Sequence, residues 1–197
     1  MLGRHLGVLR ELGEREAALR RTERSESRRA PVLLCITLAA LVSSCAASPL
    51  RSPSGTSTTV ILLRHADRDE STELNAKGRE RAQALVAAVS GMGITAIYSP
   101  DVARNLDTVR PLAAYLGVEI TITPRVSVLA AKDIAKEILS RHAGGVVVFV
   151  GNVTGNLYAV YHQLGGTGTA PEEYGDLAIL TVPDQGPVKV ERRRYGP

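Results

Sequence analysis

From residue 58 to residue 193, short β-branched runs alternate with stretches of helical character, and this alternation leaves few folds open to the chain. Residues 59–64 (TVILLR), 94–98, 118–123 and 146–150 (VVVFV) read as strands, separated by helices over about 76–90, 101–115, 130–142 and 154–164. Asn75 is placed to cap the first of these helices. Strands over about 177–182 and 187–193, around an Asp-Gln-Gly turn, read as a terminal hairpin. Uninterrupted apolar strands such as VVVFV suit positions buried on both faces. The expected fold is therefore a three-layer α/β/α sandwich on a mostly parallel sheet. In such sheets ligands bind at the carboxyl ends of the strands. That rule places Arg64-His65-Ala66, Ser99-Pro100 and Gly151-Asn152 on one edge.

The chain has 197 residues, enough for one domain with a sizeable core. Its first part reads differently. Residues 1–29 carry eight Arg and five Glu, and Arg28-Arg29 precede an apolar run over 30–42 (APVLLCITLAALV). The run falls short of the roughly 20 residues that span a bilayer, and fits the apolar region of a secretory signal. It ends in Val42-Ser43-Ser44-Cys45, which resembles a bacterial lipoprotein processing box with Cys45 as the lipidated residue. An ordinary signal whose cleavage site holds a Cys is the alternative. The expected organisation is a charged region and signal over 1–44, a lipid-anchored flexible tether over 45–57, and the folded domain over 58–197. The tether reading rests on the Ser, Pro and Gly content of AASPLRSPSGTS. An exported protein anchored to a membrane of the cell envelope follows.

Removing residues 1–44 leaves nearly balanced charge and no basic stripe, so nucleic acid is not an expected partner. Cys35 and Cys45 both precede residue 58, so the domain has no thiol or disulfide chemistry. His and carboxylates show no ligand spacing, and neither a metal nor an organic cofactor is expected.

The residues that suggest chemistry are Arg64 and His65. A permanently charged guanidinium offers paired donors to a phosphoryl group, and a neutral imidazole can attack phosphorus. An isolated strand-end histidine would more often cap a loop. This one is accompanied by Ser99, Arg104 and Thr108 after the second strand, and by Asn75, Gly78 and Arg81-Ala82 at the first helix.

In these blocks the sequence resembles the histidine phosphatase superfamily, with its phosphoglycerate-mutase-like fold, and in particular the short members without a lid. The resemblance covers about 58–196, including Tyr174-Gly175-Asp176-Leu177 and Arg194-Tyr195-Gly196. It implies that His65 is the nucleophile that becomes phosphohistidine and that Arg64 and Arg104 clamp the phosphoryl oxygens, with Ser99 and Asn152 at the phosphate. The family's second histidine belongs where this chain has Asn152. An asparagine amide donates a hydrogen bond but carries no charge. Neither His142 nor His162 is positioned by the sequence to replace it. The nearest candidate general acids are Asp67 and Glu70, in a loop that equally reads as solvated. Two functions follow. One is a phosphatase-like domain with a phosphohistidine intermediate, weakened at Asn152, acting on a phosphorylated small molecule or phosphoprotein. The other is a non-catalytic phosphate-binding or protein-interaction lipoprotein.

Overall fold

The computed structural model describes residues 49–70, 72–124 and 129–197. The expected signal over 1–44 and Cys45 lie outside the described residues. Residues Pro49–Pro197 form one compact unit.

Six strands make one sheet: β1 (Ser57–Arg64), β2 (Ile94–Pro100), β3 (Ile120–Thr123), β4 (Val146–Gly151), β5 (Asp176–Pro183) and β6 (Lys189–Arg194). Their order is β3-β2-β4-β1-β5-β6. The β1–β4, β2–β4 and β2–β3 pairs are parallel, while β5 runs antiparallel to both β1 and β6. Only β5 is therefore reversed, and the terminal hairpin extends one edge of an otherwise parallel sheet.

The pleat sends alternate residues of the central strands into two cores. Val60, Leu62, Val147 and Phe149 face α3 (Ala131–Arg141) and α4 (Asn156–Gln163), where they meet Ile134, Ile138 and Val160. Ile61, Leu63, Val148 and Val150 face α1 (Ala76–Val89) and α2 (Ala103–Leu116), against Leu85, Val89, Val109 and Leu112. Two pairs of helices on opposite faces make the three layers. The run VVVFV is uninterrupted because both of its faces are buried. Asn75 caps α1 as its position suggested, its Oδ1 accepting from the Gly78 amide at 2.8 Å.

The tether expected over 45–57 does not stay slack where it is described. The Leu50 amide donates to the Gln163 carbonyl at 3.0 Å. Ser52 is buried, donates to the Val182 carbonyl at 2.6 Å and accepts from the Thr58 amide at 3.1 Å. Its hydroxyl bridges β1 and β5 just where their ladder ends, so a residue read as linker serves as a backbone partner. The domain therefore begins at Pro49, ahead of residue 58. No helix among the described residues is long and apolar enough to cross a membrane.

Candidate active site

The parallel register fixes the site. Arg64 pairs with Gly151, and the His65 amide donates to the Gly151 carbonyl at 3.2 Å, so His65 and Asn152 leave adjacent strands side by side. β2 lies on the other side of β4 and delivers Arg104 on the first turn of α2. A side chain on Gly151 would meet Leu157, Asn156 and Phe149 within about 3.0 Å, which keeps this crossing free of a Cβ.

His65 is buried, and its Nδ1 lies 2.8 Å from the Ala66 carbonyl. A carbonyl only accepts, so Nδ1 carries the proton and the lone pair rests on Nε2. Burial lowers the imidazole pKa to about 4, partly opposed by the Ala66 bond and reinforced by Arg104, Arg64 and Arg68. At neutral pH the ring is thus an uncharged imidazole with its lone pair on Nε2, among cations. Because this pKa lies below the ordinary 6.5, the unfolded chain binds more protons between the two values. The contribution to stability is complete above about 6.5 and declines as pH falls toward about 4. An NMR titration of His65 should give a midpoint near 4 rather than near 6.5; a midpoint at the ordinary value would contradict the buried neutral ring.

Arg64 is held rather than loose. It donates to the Glu172 carbonyl at 2.9 Å and to the Tyr174 hydroxyl at 3.2 Å, with its guanidinium carbon 4.0 Å from the centre of the Tyr174 ring. The same ring lies 5.8 Å from the His65 ring. Arg104 donates to Asn152 Oδ1 through Nη2 at 2.7 Å and Nε at 3.2 Å. A guanidinium cannot accept, so this contact settles the amide: Oδ1 faces Arg104 and Nδ2 is left as a donor. Asn152 Nδ2 and Arg64 Nε are both buried without a hydrogen-bond partner. Thr108 fastens the two halves together, accepting from the Ala66 amide at 2.8 Å and donating to the Arg104 carbonyl at 2.7 Å. The pKa of Arg104 is lowered by burial first, then by Arg68 and Arg64. Cations crowded around buried, unpartnered donors are stabilised by an oxyanion.

Two expected site residues, Ser99 and Asp67, are placed otherwise. Ser99 is fully buried and its hydroxyl turns to the Pro100 carbonyl at 2.9 Å, so it is not available to a phosphate. Asp67 is a buried partner of Arg81, with Nε and Oδ2 2.5 Å apart. Burial would raise its carboxyl, but the Arg81 hydrogen bond and charge override this and hold it below the usual range. It is ionised at neutral pH and cannot donate a proton. Glu70 is exposed in the same loop, as in its solvated reading. His142 packs edge-on against Tyr98, with Nε2 3.0 Å from the phenol oxygen, and His162 packs against Tyr158 and Tyr161. Tyr174 and Arg68 also border the site; Tyr174 falls in a block that carries the resemblance but has no role assigned by the sequence, and Arg68 has no signal beyond its proximity to His65. Among the described residues no group of His, Cys, Asp and Glu could hold a metal ion.

Residues 60–127 match the model of the histidine phosphatase superfamily, branch 1. That segment holds Arg64, His65, Arg104 and Thr108, and ends before Asn152 and Tyr174. Among solved structures, the fold is similar to that of YhfR from Bacillus stearothermophilus, with a TM-score of 0.57 at 19% identity over 68% of this chain and 95% of the other. The protein histidine phosphatase SixA, complexed with tungstate, superposes with a TM-score of 0.51 at 14% identity over 69% of this chain and 96% of its own. A phosphoglycerate mutase from Plasmodium falciparum gives 0.52 at 14% identity over 69% and 89%. The architecture is thus phosphoglycerate-mutase-like. A search of curated proteins returns no match.

Proposed function

We propose that the domain is a phosphatase in which His65 Nε2 takes the phosphoryl group from a phosphomonoester or a phosphoprotein and then passes it to water. The observation that carries this reading is the state of His65: a buried, neutral imidazole with its proton on the Ala66 side, surrounded by Arg64, Arg68 and Arg104. The match over residues 60–127 supports it. Phosphoryl transfer of this kind rests on positioning and on stabilising charge at the equatorial oxygens. Arg64 and Arg104 are fixed for that by separate anchors, Tyr174 with Glu172 on one side and Asn152 on the other. Asn152 supplies an uncharged donor where a histidine would supply an ionic one, which slows turnover without dismantling the phosphate cradle.

Rapid-quench labelling with a phosphorylated aryl substrate tests the proposal. One acid-labile phosphate per chain should form in a burst, decay slowly, and be absent from His65→Ala. Phosphate binding with no covalent label would instead establish the second reading, a phosphate-recognising module, which the neutral Asn152 contact to Arg104 favours.

The proposal extends to location. Cys45, at the end of the apolar run, anchors the domain to a membrane outside the cytoplasm. Cys45→Ala should move the protein from the membrane pellet to the soluble fraction. An unchanged membrane fraction would contradict the anchor.

A further inference from the structure

Arg81 is an arginine of α1 that touches neither His65 nor the phosphate clamp, yet it is almost fully buried at 3% exposure. A buried guanidinium is costly unless its donors are satisfied. Here they are distributed over two segments that border the site. On one side Nε binds Asp67 Oδ2 at 2.5 Å and Nη2 lies 3.4 Å from Oδ1, two residues beyond His65. On the other, Nη1 donates to the Tyr195 carbonyl at 2.7 Å, and Nη2 donates to the Pro197 oxygen. The Tyr195 amide in turn donates to the Gly175 carbonyl at 2.9 Å, next to Tyr174. Packing reinforces these bonds. A Cβ on Gly175 would stand 2.3 Å from Arg81 Nη1, and one on Gly78 would stand 2.0 Å from the Asp67 carbonyl oxygen. Gly175 also has φ +87°, a conformation that side chains other than glycine rarely adopt.

We infer that Arg81 is a positioning residue that joins the loop after His65 to the turn carrying Tyr174, and so fixes the nucleophile relative to the aromatic platform under Arg64. The inference rests on the proposed role of His65 for its kinetic consequence, but its structural part does not. Lysine at this position keeps the charge and loses the reach to Asp67 and Tyr195 together.

Arg81→Lys should lower kcat/KM for p-nitrophenyl phosphate by about 10- to 100-fold, the scale on which small displacements in a phosphoryl site act. In a Tyr174→Ala background the same change should cost little more, because the platform it sets is already gone. Equal losses in both backgrounds would overturn the inference, and a lowered thermal midpoint with unchanged kcat/KM would show a merely structural role. Hydrogen exchange decides the matter even if wild-type protein forms no phosphohistidine. The Asn75 amide, bonded to the Asp67 carbonyl, and the Tyr195 amide, bonded to Gly175, should lose protection together in Arg81→Lys. Loss at one with full protection at the other would mean that Arg81 does not couple the two segments.

Discussion

Asn152→His should accelerate release of phosphate from His65 by about 10²–10³-fold, the usual effect of one well-placed ionic donor in a transition state. The expectation follows from three features of the site. Asn152 leaves β4 directly beside His65, its Nδ2 is a buried donor without a partner, and its Oδ1 holds Arg104. An amide at that point stabilises the departing or arriving oxygens only as a neutral dipole. An imidazole there takes up a proton when the phosphoryl dianion is bound and adds charge where charge develops. It also releases Arg104 from a neutral acceptor so that both guanidinium edges can meet the phosphoryl group. The increase should lie mainly in the dephosphorylation step, so that the burst amplitude falls while the steady-state rate rises. A variant that folds with an unchanged thermal midpoint and shows no faster turnover would mean that Asn152 is not what limits the site.

Arg104→Met should have a loss of comparable size. One of the two guanidinium groups proposed to clamp the phosphoryl oxygens disappears, and Asn152 Oδ1 loses the donor that orients its amide. About 10²–10³-fold in kcat/KM is expected, with weaker binding of inorganic phosphate. Stability should hardly change, because removing Arg104 also removes its repulsion with Arg68 and Arg64. Arg104→Lys should recover little of the loss, since a point charge cannot span an acceptor and a phosphoryl oxygen as a guanidinium fork does. A variant with near-normal kcat/KM would place the anion elsewhere than between β1 and α2.

Much of this arrangement is legible in the sequence, for a physical reason. Strand burial on both faces leaves a mark as local as VVVFV, and a parallel sheet brings Arg64, Pro100 and Asn152 to one edge by rule. The N-cap Asn75 acts within one turn and is equally local. What could not be read depends on contacts between distant positions. Tyr174 reaches Arg64 across 110 residues and Arg81 reaches Tyr195 across 114, and no periodicity encodes either. Asp67 is a candidate acid only by its nearness to His65 in the sequence; its partner, Arg81, lies on the neighbouring helix and holds it as an ionised carboxylate. Ser99 stood at the right strand end, but a serine hydroxyl bonds readily to a nearby backbone carbonyl, and here it turns inward. Ser52 shows the reverse: the composition around it suggests a linker, whereas its hydroxyl completes the join between β1 and β5.

The most direct measurement is of the atom that carries the phosphate. Protein labelled with ¹⁵N in its histidines, trapped after reaction with an aryl phosphate, can be read by ³¹P–¹⁵N correlation for the nitrogen bonded to phosphorus. The Ala66 carbonyl fixes the proton on Nδ1 of His65, so the phosphorus should couple to Nε2 of that residue alone. Coupling to Nδ1, coupling to His142 or His162, or a phosphate on no histidine at all would contradict it.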